Sequence, residues 1–281
     1  MNVTSPVDLH LHSTASDGVL DPAALVAHVA ACGVGLMALT DHDTVAGVEA
    51  AANAARSAGI GFVAGVEVSA RWRGRTIHVL GLAVDPTDSR LAAGLASQQA
   101  LREQRAERIA ARLDAAGAPG SAALASIRAA GSLPTRTHFA RALVAAGVSA
   151  DAGAAFERWL GRGRPGSVPS EWPELHETTS WILAAGGKAA IAHPLRYLLS
   201  GGARRELCTE FRAAGGHGVE VVTGSAGPAQ REQAISLAVR CGLEGSVGSD
   251  FHDPAVPWNP PGRLAKLPDS IRPIWSDFPP A

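Results

Sequence analysis

The chain has 281 residues, of which 46% are hydrophobic and 18% charged, so a buried core is expected and global disorder is excluded. The formal net charge is −1. Because a near-neutral chain lacks the basic excess needed to hold long duplex nucleic acid by counterion release, any recognition of phosphate must be local. The length allows two average domains or one α/β barrel of about 250 residues.

The three cysteines are far apart in the sequence, which predicts neither a disulfide framework nor a thiolate metal site. The first residues show no charged segment followed by an apolar one, and no apolar stretch is long and unbroken enough to span a membrane. We therefore expect a cytoplasmic protein that does not bind membranes. No feature of the sequence indicates an obligate protein partner.

Short apolar runs alternate with helical patterns along most of the chain. The first helix begins at Asp21-Pro22, which combines an N-cap with a first-turn proline, and Arg71 to Arg75 predicts a hairpin turn. Because helices separate most of the strands, we expect parallel pairing and an α/β barrel whose chemistry lies at the carboxyl ends of its strands. Seven core strands are predicted, at 7–12, 36–40, 61–66, 76–82, 188–192, 218–222 and 245–248.

Residues 99–172 depart from this alternation, because helix follows helix around an Arg/Gly/Pro-rich loop. We interpret them as a helical insertion in a discontinuous barrel domain of residues 1–98 and 173–281. The insertion is expected to cover the mouth of the barrel, and a solvated structural appendage is the alternative.

Histidines and carboxylates lie at the ends of almost all the predicted strands. His10 and His12 share one face of the first strand, close enough to chelate one ion. Buried histidines satisfied by hydrogen bonds would explain one or two such positions but not nine at the same end of a sheet. The nine are His10, His12, Asp17, His42, Glu67, His78, His193, Asp250 and His252.

At these nine positions the chain resembles the PHP family, the polymerase and histidinol phosphatase superfamily of metal-dependent phosphoesterases. The resemblance implies a distorted (β/α)7 TIM-like barrel, the PHP fold, that holds two to three divalent ions. It also implies three ligand groups, namely His10, His12, Glu67 and Asp250 for the first ion, Glu67, His78 and His193 for the second, and Asp17, His42 and His252 for the third.

Mixed imidazole and carboxylate ligation suits Mn²⁺, Fe²⁺ or Zn²⁺, and of these we expect Mn²⁺, with the other two as alternatives. A carboxylate that bridges two ions holds them roughly 3.5–4 Å apart, where a bridging water becomes the hydroxide that attacks phosphorus. We assign catalysis to Glu67, Asp250 and His252. Asp8 and Asp41 are interpreted as partners that orient imidazoles, and Asp43 as the start of the following helix.

Arg136, Arg164 and Arg196 each accompany a turn or a helix start, and Thr135 is a predicted N-cap. Guanidinium forks bind phosphate bidentately, and a helix N-terminus adds a favourable dipole. We therefore expect these three arginines, together with His138, to bind a substrate phosphate. Since arginine greatly outnumbers lysine in this chain, composition alone is the alternative explanation for them.

The stretches 136–139, 164–166 and 193–197 are also similar to one subgroup of the family, the ribonuclease AM-like enzymes. These act on nucleoside 3′,5′-bisphosphates and trim 5′-phosphorylated RNA in the 5′ to 3′ direction, and their basic residues grip a terminal phosphate. The subgroup often has lysine where Arg164 stands.

The expected function is hydrolysis of nucleoside 3′,5′-bisphosphates, such as adenosine 3′,5′-bisphosphate (pAp) to AMP and phosphate, or of short 5′-phosphorylated RNA. Histidinol-phosphate phosphatase is the alternative among enzymes, and it needs neither a helical insertion nor a second phosphate clamp. A non-catalytic metal-binding accessory module is the alternative from another class, which the complete ligand set disfavours.

Overall fold

A computed structural model describes residues 5–256 and 259–278 and contains a mixed sheet of seven strands in chain order. The backbone N–H of Leu9 donates to the carbonyl of Val247 (2.9 Å), so the first strand meets the last and the sheet is nearly closed. The predicted (β/α)7 TIM-like barrel is therefore confirmed. The strands are β1 (Val7–Asp8), β2 (Leu36–Leu39), β3 (Gly61–Trp72), β4 (Arg75–Leu82), β5 (Lys188–Ile191), β6 (Gly218–Thr223) and β7 (Glu244–Gly248).

Helices follow most of the strands, and local signals set their ends. Asp21 accepts the N–H of Ala24 (2.9 Å) and Pro22 opens the first helix, as predicted. No helix of the described residues is long and apolar enough to cross a membrane. The helices are α1 (Pro22–Ala31), α2 (Val48–Ala58), α3 (Ser89–Ala115), α4 (Gly120–Ala129), α5 (Arg136–Ala145), α6 (Ala152–Ala155), α7 (Leu175–Ala184), α8 (Gly201–Ala213) and α9 (Pro228–Cys241), with a π-helical turn at Phe156–Leu160 and a 3₁₀ turn at Ile274–Asp277.

Strand β4 runs antiparallel to both of its neighbours. Its pairing with β3 confirms the predicted hairpin, whereas the prediction of parallel pairing is wrong between β4 and β5. Arg73 and Gly74 both have positive φ (48° and 73°) in the predicted hairpin turn, and this conformation suits a tight reversal from β3 to β4. Because the hairpin reverses one strand, β5 runs against β4 when it resumes the original direction. The other adjacent pairs of strands are parallel.

The reversal of β4 decides where its side chains lie. The amino-terminal half of an antiparallel strand lies at the end of the sheet where its parallel neighbours have their carboxyl ends. His78 is the fourth residue of β4, so it lies at the end of the barrel to which the other strands deliver their last residues.

The core of the barrel is formed by strands that are buried on both faces. All four residues of β2 are buried, as are Val66, Val68, Ile77 and Val79 of the hairpin. Continuous apolar runs of this kind are typical of strands covered by helices. The barrel therefore provides a rigid frame for the polar residues at its rim.

The contacts divide the chain into two compact units, residues 1–95 with 173–281, and residues 96–172. The second unit has an apolar core of its own, in which Leu113, Phe139 and Leu143 are fully buried. Its limits lie close to the predicted insertion, 99–172. That this unit covers the mouth of the barrel stays a prediction.

Candidate active site

The nine predicted ligands lie together at one end of the barrel. Asp250 Oδ1 is 3.2 Å from His12 Nε2, and His193 Nε2 is 3.1 Å from Glu67 Oε1. The remaining ligands join these through three groups whose ligand atoms lie within 4.8 Å of one another, namely His12, Asp17, His42 and His252, then His10, His12 and Glu67, and finally His42, Glu67 and His78.

Glu67 is the centre of this cluster. It is fully buried on β3, and its Oε1 lies 2.9 Å from His78 Nδ1 and 3.3 Å from His10 Nε2. Its Oε2 lies 2.8 Å from His42 Nδ1. Both oxygens therefore face imidazoles, an arrangement that one carboxylate between two ions requires.

The groups differ in part from the predicted ligand sets. In the structure, the ligand atoms of His42 lie close to those of Glu67 and His78 as well as to those of Asp17 and His252. The prediction placed His42 only with Asp17 and His252. The sets overlap because adjacent strand ends surround one carboxylate. The assignment of each ligand to one particular ion stays a prediction.

Several buried atoms of the cluster lack the hydrogen bonds that burial normally requires. His10 Nε2, His12 Nε2 and Glu67 Oε2 are buried and make no hydrogen bond of acceptable geometry with the described residues. Each such atom costs about 1–3 kcal/mol. A divalent cation would satisfy all three, and imidazole nitrogens with carboxylate oxygens suit Mn²⁺, Fe²⁺ and Zn²⁺. The residues therefore fit divalent metal ions.

The ionisation of Glu67 and His12 is consistent with ligation, whereas that of His252 is not. Burial alone would raise the pKa of Glu67, but the imidazoles of His42 and His10 hold it well below its ordinary value. Burial, and next the nearby His252, lower the pKa of His12 to about 3. An ionised carboxylate and a neutral imidazole are the forms that bind metal ions. Against the effect of burial, the carboxylates of Asp17 and Asp250 raise the pKa of His252 to about 9, so this ring must lose a proton before it binds a metal ion.

The backbone is strained where it presents some of these groups. Asp43, His193 and Asp250 have positive φ values of 51°, 30° and 55°. Such conformations cost on the order of 1–3 kcal/mol each for residues with a β-carbon, and they cluster at functional sites. The fold therefore maintains this rim at some cost to its stability.

Two residues that the sequence analysis did not single out hold ligands in place. Glu220 is fully buried on β6 and accepts His10 Nδ1–H (2.9 Å) and the backbone N–H of His193 (2.6 Å). The hydroxyl of Tyr197 accepts the backbone N–H of His78 (2.8 Å). Because Glu220 accepts a hydrogen bond from Nδ1–H, this proton stays on Nδ1 and the lone pair of His10 Nε2 faces the cluster. A charged residue inside an apolar strand was the available signal for Glu220.

The prediction that Asp8 orients an imidazole is wrong. Its Oδ1 accepts the backbone N–H of Ser249 (2.9 Å), and burial raises its pKa to about 7. Asp8 therefore joins the first strand to the turn after the last one.

Asp41 and Asp43 differ from their predictions as well. Asp41 accepts a hydrogen bond from the hydroxyl of Ser16 (2.6 Å), and this hydroxyl oxygen lies 3.4 Å from His12 Nδ1. Asp41 is therefore linked to an imidazole only through a serine. Asp43 does not start a helix, since α2 begins at Val48. It accepts the backbone N–H of Ser69 (2.7 Å) and joins two adjacent strands.

The predicted phosphate ligand Arg196 lies beside the cluster. One of its guanidinium nitrogens donates to Asp250 Oδ2, and the other donates to the hydroxyl of Ser225 (3.1 Å). In this conformation its partner is one of the predicted metal ligands. Its binding of a substrate phosphate stays a prediction.

Arg136 and His138 lie in the helical unit, at the start of α5. Thr135 accepts the N–H of His138 (3.4 Å) and confirms the predicted cap, and the Nδ1 of His138 accepts the N–H of Thr135 (3.2 Å). His138 is thereby a capping residue. Arg136 is exposed to solvent along part of its side chain, and its guanidinium lies 5.7 Å from the ring of Phe156.

Two arginines that the sequence analysis did not select lie near Arg136. Burial lowers the pKa of Arg105 to about 9, with Arg136 and Arg102 as the next causes. Desolvation by the surrounding protein also lowers the pKa of Arg136, with Arg102 as the next cause. Arg102, Arg105 and Arg136 thus form a cluster of like charges, which we call the arginine cluster.

Arg164 lies elsewhere in the same unit. It lines an open groove of about 440 Å³ with Glu157 and Arg158. The charges that act on the arginine cluster do not include Arg164. Arg136 does not line the groove that Arg164 lines.

Known proteins are similar to this chain over nearly its whole length. Residues 8–165 match the family described as the PHP domain. A protein of Haemophilus influenzae named 5′-3′ exoribonuclease is 45% identical over 276 residues, which cover 98% of this chain and 100% of the relative. The 3′,5′-nucleoside bisphosphate phosphatase of Chromobacterium violaceum is 42% identical over 274 residues, which cover 97% and 96%. A solved structure from Chromobacterium violaceum, described as an amidohydrolase with bound sulfate and no metal, is similar with a TM-score of 0.90 at 41% identity, over 97% and 95% of the two chains.

Proposed function

The chain belongs to the PHP domain family and is a metal-dependent phosphoesterase, and from this basis we propose that it hydrolyses nucleoside 3′,5′-bisphosphates and the ends of short 5′-phosphorylated RNA. Both substrates carry a second phosphate close to the ester that is cleaved. The names of the two relatives, an exoribonuclease and a bisphosphate phosphatase, support this choice. We place the reaction in the cytoplasm, without an obligate protein partner.

The arginine cluster is the observation that carries the proposal. Guanidiniums this close repel one another, and an anion bound among them would lower the free energy of the folded protein. Arg102 also lies over the ring of Trp172, 5.2 Å from its centroid, which fixes the plane of its fork. A phosphate that is bound but not cleaved is the anion that such forks accept bidentately.

The reaction centre that we propose is the cluster around Glu67, which would hold two to three divalent ions, Mn²⁺ in the first place. When bound, such ions activate a water molecule and neutralise charge on the phosphoryl group. Glu67 would be the shared ligand, Asp250 a ligand of the first ion, and His252 a ligand close to the reacting phosphate. Glu220 holds the proton of His10 on Nδ1 and thereby keeps Nε2 available.

Arg136→Ala tests the role of the arginine cluster. We expect kcat/KM for pAp to fall about 10²-fold, because a charge-assisted pair contributes roughly 2–3 kcal/mol. Hydrolysis of 3′-AMP, which lacks the second phosphate, should change little. Phosphate release is the measurement, and Arg128→Ala is the control, since this arginine of the same unit is exposed and paired with Glu103.

Two results would contradict the proposal. The parent enzyme could hydrolyse mono- and bisphosphates with equal kcat/KM, which would show that the second phosphate is not recognised. Alternatively, histidinol phosphate could be hydrolysed faster than either nucleotide, which would favour the histidinol-phosphate phosphatase reaction.

A further inference from the structure

A groove of about 340 Å³ between α8 and α9 is lined by three arginines, Arg204, Arg205 and Arg240. Their side chains make no ion pair or hydrogen bond with the described residues, and the Nε of Arg204 is buried. Other exposed arginines of the barrel, such as Arg73, have carboxylate partners. Glu232 is the acidic residue of the groove, so its lining keeps an excess of positive charge.

The groove begins beside the reaction centre. Leu195 lines it and also lines a small pocket that contains His193, Arg196 and Glu220. Leu195 thus separates the groove from the pocket beside the cluster, and an extended chain that crosses this residue would reach both. An RNA strand can occupy the cluster and the groove together, whereas a mononucleotide bound at the cluster occupies only the first.

The start of α8 adds to the attraction for anions. Gly201, the first residue of this helix of 13 residues, lines the groove, and no atom lies within 4 Å of the position that a β-carbon would occupy there. A phosphate oxygen can therefore approach the N–H groups of the first turn, where the helix dipole favours negative charge. The arginines of the groove and the first turn of α8 thus both favour an anionic ligand such as a phosphate.

We propose that this groove binds the backbone phosphates of an RNA substrate, downstream of the nucleotide that is removed. This inference rests on the proposed function. A basic groove that follows the backbone is the usual device for holding a single strand without regard to its sequence. Since none of the lining residues is aromatic, the groove recognises phosphates rather than bases. The enzyme should therefore prefer longer RNA over dinucleotides, independent of base composition.

The test compares two substrates, pAp and a 5′-phosphorylated oligoribonucleotide of about ten nucleotides, a length typical of single-strand binding sites. Replacing both Arg204 and Arg205 by Ala should raise KM for the oligonucleotide roughly tenfold, with kcat unchanged and pAp hydrolysed at the parent's rate. The slope of log KM against log salt should fall by about 0.7 for each phosphate that the variant no longer neutralises. Replacing both by Lys should restore most of the affinity.

Arg90→Ala is the matched control, because Arg90 is an exposed arginine in the first turn of α3 and does not line this groove. If the parent cleaves RNA but the double Ala variant keeps its KM and its salt dependence, the groove does not bind RNA, while the proposed function stands. An equal loss on pAp and on RNA also overturns the inference. If the parent cleaves neither substrate, the proposed function itself fails.

Discussion

Glu220 should control metal affinity although it is not itself a predicted ligand. In Glu220→Gln the side chain keeps its size but has one accepting oxygen for two donors, His10 Nδ1–H and the N–H of His193. If the amide NH₂ faces His193, it lies against the backbone N–H of that residue, so two buried hydrogen-bond donors face each other without an acceptor. If it faces His10, that ring must accept on Nδ1 and carry its proton on Nε2, the atom that faces the cluster.

The magnitude follows from either arrangement. A buried donor without an acceptor costs about 1–3 kcal/mol. Loss of a partner that orients a metal-binding histidine lowers metal affinity about 10–100-fold, which corresponds to roughly 1.4–2.7 kcal/mol. We therefore expect the apparent affinity for Mn²⁺ and kcat/KM for pAp to fall together by one to two orders of magnitude.

Calorimetric titration of chelator-treated protein with Mn²⁺ measures this effect. Glu174→Gln is the control, since Glu174 pairs with Arg71 on the surface (2.6 Å), where such a pair contributes at most about 1 kcal/mol. If Glu220→Gln binds Mn²⁺ with the parent's affinity and cleaves pAp at the parent's rate, the hydrogen bond from His10 does not set the direction of its lone pair.

Three further predictions concern metal content, catalysis and stability. Elemental analysis of protein purified without chelator should find at least two transition-metal ions per chain, and a protein that takes up none from excess Mn²⁺ would contradict the metal centre. Glu67→Ala should lower the rate of phosphate release by about 10³-fold or more with an unchanged circular dichroism spectrum, and a variant with the parent's rate would remove Glu67 from the mechanism. His217 accepts the N–H of Ala189 on Nδ1 (3.3 Å), and burial, then Lys188, lowers its pKa, so the folded state favours the neutral ring. Stability should therefore fall as the pH drops below about 6.5, the pKa of the unfolded chain's imidazole, and the share of that loss caused by His217, at most roughly 4 °C in Tm, should be absent in His217→Gln.

The fold could be predicted because each buried strand is a short apolar run bounded by turn or helix signals. β2 is an example, with four buried residues between the end of α1 and polar residues. The direction of β4 could be inferred only in part. The turn at Arg73 and Gly74 indicated its reversal from β3, but its pairing with β5 depends on where the chain returns after the whole helical unit, which local patterns do not encode.

The candidate site, like the fold, could be predicted only in part from local sequence patterns. Most of the predicted ligands could be selected because they follow a predicted strand, whereas His78 lies on one, and the structure brings all nine residues together. Glu220 could not be selected by that rule, since it lies in the middle of the predicted strand 218–222, whereas Glu67 follows the predicted strand 61–66. Arg102 and Arg105 belong to a long helix rich in charged residues, where a pair three positions apart is typical of a solvated face. Only the tertiary structure places them beside Arg136.

The meeting of β1 with β7 has a consequence for how the protein is made. His10 receives its carboxylate partner from Glu220, 210 residues later, and Leu11 pairs with Phe251. During synthesis, which proceeds from the amino terminus at about 5–20 residues per second, the first strand leaves the ribosome long before its partner strand exists. His10 and His12 therefore lack their carboxylate neighbours, Glu220 and Asp250, until the last strands have left the ribosome. The complete cluster can therefore bind metal ions only after Asp250 and His252 have been synthesised. A chain truncated before these residues should not take up the full set of ions.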